Sequence, residues 1–324
     1  MQYIRGDKVF YHSQLQDYLD GEMVIPVTME LHLTNRCNMN CYYCFFDDRD
    51  RKLELDILDA FDCINVLEEI GVKGLIFSGG GEPTVHPDFE DIVLYAGGMF
   101  DLALITNGLV DISDIVRRFV WVRYSLDSVN PATFRKIKGV DKFNDVVTNI
   151  ERAIANKGST TIGIQMVVTE DNYRQIWDMY DFAEYIRADY FQFRPMENAE
   201  YPKEIWNEVN AVRKFSKNLT GPSMLTTENK WEELSGKAKQ YRNCPGADFI
   251  GAIDCKGDYY ICCHHVGKQG CYGNLLTDSI DRVLKNRKAV QTNFDYSKCP
   301  IACRGSNLNL ALNNFNKLEH VNFL

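Results

Sequence analysis

From Thr28 onward, short apolar runs alternate with longer stretches in which apolar residues recur every three or four positions, the pattern of repeated βα units. The run at 27–33 reads as a first strand that leads straight into a cysteine-containing loop. A helix is expected over 56–70: Asp56 caps it, Ile57, Phe61, Ile64 and Leu67 fall on one face, and Gly71 ends it. Further strands are expected at 74–78, 102–106, 121–126, 161–168 and 190–194, with helices near 88–96, 112–118, 143–156 and 173–186 between them. Six strands with right-handed helical crossovers predict an α/β chain folded as a partial (β/α)6 TIM-like barrel. In such parallel sheets the chemistry sits at the carboxyl ends of the strands.

A boundary is expected after Arg194-Pro195, followed by a helix-like stretch over 203–219 that breaks at Gly221-Pro222. From Tyr241 the chain changes to cysteines, glycines and short strand-like pieces at 249–254 and 258–261. Too few apolar residues remain there for a large core, so a small cysteine-rich α+β unit braced by metal is predicted. The expected organisation is an N-terminal extension at 1–26, a barrel at 27–222 and the second unit at 223–324.

Composition narrows the function classes. The 324 residues are 45% hydrophobic and 25% charged, an ordinary soluble composition. A net charge of −9, from 36 basic and 45 acidic residues, argues against wide contact with nucleic acid. No stretch approaches the roughly 20 apolar residues that span a bilayer, and the N-terminus lacks a signal-peptide core, so the chain reads as cytoplasmic with no membrane partner. The 11 cysteines are many for a reducing compartment, where ligands and reactive thiols prevail over disulfides. They form two groups: three at 37–44 and seven between 244 and 303, with Cys63 alone between them.

The first group, Cys37-x3-Cys41-x2-Cys44, follows the first strand. Structural zinc normally takes paired ligands and fills four positions. Three thiolates on a four-iron cube leave one iron open, unless His32 or an acidic residue supplies a fourth ligand. At the end of the second strand stands Ser78-Gly79-Gly80-Gly81-Glu82-Pro83. Gly79, Gly80 and Gly81 let backbone approach a ligand closely, and Glu82 is an acceptor for a cationic ammonium. A solvated turn carboxylate is the alternative for Glu82, as are ordinary turn roles for Asn107 and Ser125.

In order and in register over about 27–195, these motifs resemble the radical S-adenosylmethionine superfamily. Tyr43 supplies the aromatic residue before the third cysteine, Gly80-Gly81-Glu82-Pro83 the Gly-Gly-Glu-Pro motif, and 104–108 and 124–127 the third and fourth strand ends. The resemblance implies a [4Fe-4S] cluster on Cys37, Cys41 and Cys44. It also implies S-adenosylmethionine against Tyr43, Gly79, Gly80, Gly81, Glu82, Asn107, Ser125, Gln165 and Arg194. Reductive cleavage would give methionine and a 5′-deoxyadenosyl radical that removes a substrate hydrogen atom. An electron donor such as flavodoxin or ferredoxin is the implied partner.

The C-terminal group resembles the auxiliary-cluster extensions called SPASM and Twitch. Cys244 precedes a strand pair turning at Gly257, then come Cys262, Gly273-Asn274-Leu275 and Cys299-x3-Cys303. The resemblance implies one auxiliary [4Fe-4S] cluster on Cys244, Cys262, Cys299 and Cys303. Cys263 competes with Cys262 for the ligand role, and structural zinc is the alternative. The longer cysteine run of a full SPASM unit is absent, so the Twitch type fits better. Cys63 is expected as a buried apolar residue, and Cys263 and Cys271 are the candidate hydrogen-atom donors. His86, His264 and His265 are expected to be satisfied or surface histidines. The expected reaction is oxidation or epimerisation of a small polar substrate, sugar- or aminocyclitol-like, because about 26 residues before the first strand are too few for a leader-binding domain. Epimerisation or cross-linking of a ribosomal peptide is the alternative, and a non-enzymatic iron–sulfur or zinc-braced binding protein the distant one.

Overall fold

A computed structural model describes residues 6–216, 222–236 and 243–315. Gly221, Tyr241 and the end of the helix expected over 203–219 lie outside the described residues. Ten strands form one sheet: β1 (Thr28–Leu31), β2 (Gly74–Phe77), β3 (Asp101–Thr106), β4 (Trp121–Ser125), β5 (Thr161–Val168), β6 (Tyr190–Pro195), β7 (Ser223–Leu225), β8 (Ile250–Ile253), β9 (Asp258–Tyr260) and β10 (Cys271–Asn274). Their order is β10-β9-β8-β1-β2-β3-β4-β5-β6-β7. β1 to β7 pair in parallel in chain order, the curved sheet of a partial barrel.

Period-two alternation sets what each face carries. Met29, Leu31, Leu75, Phe77, Leu104, Val122, Tyr124, Ile162, Ile164, Phe191 and Phe193 are fully buried in the main core. The alternate positions Glu30, Arg123, Gln165, Gln192 and Arg194 point to the other side, into the barrel lumen. A polar set inside a barrel is a site rather than a core.

The helices are α1 (Gln14–Asp20), α2 (Ile57–Ile70), α3 (Phe89–Ala96), α4 (Pro131–Lys138), α5 (Phe143–Asn156), α6 (Ile176–Tyr185), α7 (Lys203–Phe215), α8 (Glu228–Leu234), α9 (Ile280–Thr292) and α10 (Ser306–Phe315). α2 starts as expected, with Asp56 accepting from Leu58 N at 2.9 Å, and ends at Gly71 in the left-handed region. Two expectations fail. The stretch 112–118 makes only a 3₁₀ turn at Val116–Arg118, because so short a segment cannot offset the cost of nucleating a helix. That at 173–186 splits into a 3₁₀ turn (Tyr173–Gln175) and α6. α4 was not anticipated: only Phe134 and Ile137 mark its apolar face, but Asn130 caps it, Pro131 opens it and Gly139 stops it.

The sheet continues past the first six strands on both edges. β8 lies parallel to β1 with Thr28, Met29, Glu30 and Leu31 opposite Ile250, Gly251, Ala252 and Ile253. β9 and β10 extend that edge antiparallel. The N-terminal extension also joins in, since Val9 and Val24 bury against Phe249 and Leu312 of the C-terminal part.

Candidate functional site

The loop carrying the first cysteines is tied down on several sides. Asn40 N and Tyr42 N donate to Lys138 O and Ile137 O at 2.9 and 3.2 Å, so the loop rests on the end of α4. Gly139, at φ +71°, leaves no room for a Cβ, which would meet Asn40 O at 2.7 Å. Asn107 Nδ2 donates to Asn38 Oδ1 at 2.7 Å and lies 3.9 Å from Cys37 Sγ, while Arg49 Nη1 is 3.4 Å from Cys44 Sγ. The Cys37, Cys41 and Cys44 thiols are half-buried; burial pushes Cys37 and Cys41 up, and the charge of Cys44 adds to both, that of Cys37 to Cys41. A positively charged metal centre among them would favour the thiolates instead, so the donor set fits an iron–sulfur cluster. Among the described residues no three His, Cys, Asp or Glu side chains close around a single ion. A cube takes one thiolate at each of several corners.

Glu82 proves to be a buried hub, not a solvated carboxylate. Its Oε1 accepts from Thr84 Oγ1 and Thr106 Oγ1, both at 2.7 Å, and from Thr84 N at 3.3 Å; Oε2 accepts from Asn107 N at 2.7 Å. Burial pushes its carboxyl up, and these donors pull it back. Oε2 keeps room for one further donor. The glycines before it pack closely against the segment that leads into the cysteines: a Cβ on Gly79 would meet the His32 ring at 2.8 Å, one on Gly80 Asn35 Oδ1 at 2.1 Å, and one on Gly81 Arg36 O at 2.0 Å. Their smallness serves loop-against-loop contact.

Tyr43 and Ser125 converge on a residue that sequence reasoning missed. Lys138 Nζ, only 1% exposed, lies 2.6 Å from Asp127 Oδ2 and donates to Ser125 Oγ at 3.0 Å and Tyr43 Oη at 3.2 Å. Tyr43 Oη in turn donates to Asp127. Burial opposes the ammonium, but the Asp127 carboxylate holds its pKa well above the usual lysine value. Gln165 is buried, and Arg194 donates to Pro195 O at 3.3 Å and lies 3.7 Å from Glu197.

The second thiol group also gathers. Cys244 lies within electrostatic reach of Cys299, and Cys262 within reach of its chain neighbour Cys263 and of both Cys303 and Cys244. Asn309 Nδ2 donates to Cys244 Sγ at 3.3 Å, and His265 Nε2 sits 3.5 Å from Cys299 Sγ. Cys263, the next residue after Cys262, faces elsewhere. Its thiol hydrogen-bonds Glu30 on β1, with Arg304 Nη1 at 3.9 Å and His264 Nδ1 at 3.8 Å. Burial, then the Glu30 carboxylate, push the Cys263 thiol well up. Cys271 is not brought to this place. It lies on β10 beside a surface cleft of about 390 Å³ shared with Asn286, Val290 and Phe294. Cys63 is fully buried in the core, as expected of a small apolar residue.

The lumen between the two thiol groups is densely charged. Arg304 Nη1 lies 2.6 Å from Glu30 Oε1, and Ser78 Oγ donates to Glu30 Oε2 at 2.5 Å. Burial would raise Glu30, but Arg304 wins and holds it at about 2. His264 Nε2 meets Glu197 Oε1 at 2.8 Å, so this histidine is a satisfied one. So is His86, whose Nε2 lies 2.8 Å from Leu55 O. Glu30 was legible as a lone carboxylate inside an apolar strand run; Arg304, Glu197 and Lys138 carried no such signal.

Residues 31–183 match the family model of the radical SAM superfamily. Mycofactocin maturase MftC of Mycobacterium ulcerans is 28% identical over 281 residues, 81% of this chain and 75% of its own length. A probable GTP 3′,8-cyclase of Methanothermobacter marburgensis is 34% identical over 165 residues, 48% of this chain and 53% of its own. Among solved structures, Streptococcus suis SuiB bound to its precursor peptide SuiA has a TM-score of 0.66 at 16% identity, covering 91% of this chain and 73% of that one. SuiB has also been solved with S-adenosylmethionine. The structural likeness is one of fold.

Proposed function

We propose that this chain, whose residues 31–183 match the radical S-adenosylmethionine superfamily model, modifies a peptide by inverting a carbon centre, with Cys263 as hydrogen-atom donor. In this reading Cys37, Cys41 and Cys44 hold the [4Fe-4S] cluster. S-adenosylmethionine would be held by Tyr43, Gly79, Gly80, Gly81, Glu82, Asn107, Ser125, Gln165 and Arg194. Cys244, Cys262, Cys299 and Cys303 hold one auxiliary [4Fe-4S] cluster in the unit 223–324, beside the barrel 27–222. When bound, the cluster and S-adenosylmethionine supply on reduction a 5′-deoxyadenosyl radical that takes a hydrogen atom from the substrate.

The chain's own part is to decide the fate of the substrate radical. The Cys263 S–H breaks as a new C–H bond forms on the opposite face of the substrate carbon, leaving a sulfur radical. One electron from a flavodoxin- or ferredoxin-type donor and one proton from solvent restore the thiol. The work belongs in a reducing cytoplasm, where such donors operate. The carrying observation is the parting of two neighbours: Cys262 among Cys244 and Cys303, Cys263 against Glu30 and Arg304 in the lumen. A peptide is favoured over a sugar-like substrate by a relative named as a maturase and a fold neighbour solved with a precursor peptide.

The test is anaerobic turnover in deuterated water with a pool of synthetic peptides. The native enzyme should place a single solvent deuterium in a product peptide. Cys263→Ala should still release 5′-deoxyadenosine but give no inverted product. Inverted, deuterated product from the alanine variant would sink the reading.

A further inference from the structure

The barrel lumen carries more positive charge than its own carboxylates balance. Glu30 is taken by Arg304 at 2.6 Å, and Glu197 by His264 at 2.8 Å and Arg194 at 3.7 Å. Two cations are left over. Arg123, in mid-β4, donates through Nη1 only to the neutral Gln192 Oε1 at 3.2 Å, and its buried Nε has no partner. The Lys230 side chain on α8 makes no hydrogen bond or ion pair among the described residues. Both are anchored beside β6, Arg123 through Gln192 and the start of α8 through Thr227 Oγ1, which donates to Phe193 O at 3.1 Å, and Arg194 and Arg304 are electrostatic neighbours of both. Burial works against both charges: it brings Arg123 down to about 10 and Lys230 to about 8, with Arg194 and Arg304 adding their repulsion. Cations so placed are expensive unless an anion joins them.

Independent orphans point the same way. His32, 1% exposed and within the field of Glu30 and Arg304, has neither ring nitrogen paired. Buried polar atoms without partners ask for a ligand or water. The molecule as a whole carries −9, so a surplus of cations at the barrel mouth is a local feature, and it would draw an anion inward.

We propose that the lumen binds a carboxylate of the peptide substrate, held by Arg123 and Lys230, so that the modified peptide is acidic at or beside the altered residue. This deepens, and rests on, the reading of the lumen as the substrate site. A rival role is to neutralise the auxiliary thiolates. Lys230 lies within reach of Cys303, whereas the foremost charges acting on Arg123 are those of Tyr190, Arg304, Arg194 and Glu30. Arg123 therefore decides between them.

The experiment uses anaerobically purified holoenzyme and three synthetic probes, read by saturation-transfer NMR: acetyl-Ala-Glu-Ala-amide, acetyl-Ala-Gln-Ala-amide, and acetyl-Ala-Gln-Ala with a free carboxyl end. A carboxylate probe should bind about tenfold tighter than the neutral one, the scale of a hydrogen bond to a charged group. Which of the two charged probes wins tells whether the side chain or the chain end is read. Arg123→Gln and Lys230→Gln should each abolish most of that preference, and Arg123→Lys should keep part of it. Iron content and melting temperature check that the variants fold; should Arg123→Gln not fold, Lys230→Gln carries the test alone. Equal binding of the three probes, or none, overturns the proposal. So does an unchanged preference in folded variants, or iron loss from Lys230→Gln with the preference intact. Release of 5′-deoxyadenosine is scored in parallel without peptide. Carboxylate preference without that release would uphold the anion site and overturn the radical reading; release without preference would overturn the anion site alone.

Discussion

At the scale of single residues, the most consequential contact is the buried pair Lys138–Asp127. Both side chains are at most 1% exposed, and the pair touches Tyr43 and Ser125 at once. Neither charge alone would be tolerated there: removing one partner of a buried pair typically costs about 3–5 kcal/mol, because the other is left uncompensated. Lys138→Met should therefore lower unfolding free energy by about that amount. Adding Asp127→Asn should recover much of it. Chemical denaturation of the two variants checks this, and a Lys138→Met loss below about 1 kcal/mol would mean that water reaches the pair. Asp127 was visible in the sequence as a strand-ending residue. Its lysine partner was not, because it arrives from a helix of only 8 residues in which Phe134 and Ile137 are the buried apolar positions.

At the scale of elements, the turn after β2 and the cysteine loop after β1 act as one unit. Gly81 N donates to Thr34 O at 3.0 Å and Glu82 N to Arg36 O at 2.8 Å, so the two segments lie backbone to backbone. A Cβ on Gly81 would sit 2.0 Å from Arg36 O, a backbone atom that cannot swing aside, whereas one on Gly80 meets the end of the Asn35 side chain. Gly81→Ala should displace the loop and cost the first cluster, about half of the bound iron, together with 5′-deoxyadenosine formation. Gly80→Ala should be much milder. Iron analysis of the two anaerobic proteins tests this, and equal iron in both would refute it. The glycine run was legible from sequence as a place of close approach. What approaches it was not, since that depends on a segment more than 40 residues earlier in the chain.

At the scale of the whole molecule, the C-terminal part adds β8, β9 and β10 to the barrel's own sheet. β8 completes the free edge of β1, the strand from which Glu30 and the first cysteine loop both project. Replacing Cys244 and Cys262 together with alanine should remove about four irons per chain while sparing the first cluster. It should also lower the melting temperature of the entire chain, because the edge of β1 depends on β8. Iron content and a thermal melt read both effects. Two separate melting transitions, with the barrel unmoved, would show the units to be independent.

By itself the sequence determined the six-strand order, the cap and stop of α2, the two thiol groups and the placing of Glu82 at a strand end. Each of these rests on local periodicity or on residues a few positions apart. The fate of Cys262 and Cys263 was beyond it. Cys262 is fully extended (φ −169°, ψ 169°), and neighbours on an extended backbone point to opposite sides, so one of the two had to face away from the other thiols. Which one was decided by the pairing of β8 with β1. That pairing brings this segment over the lumen with Cys263 against Glu30. Long-range register of this kind is a property of the packed sheet, and no short stretch of chain encodes it.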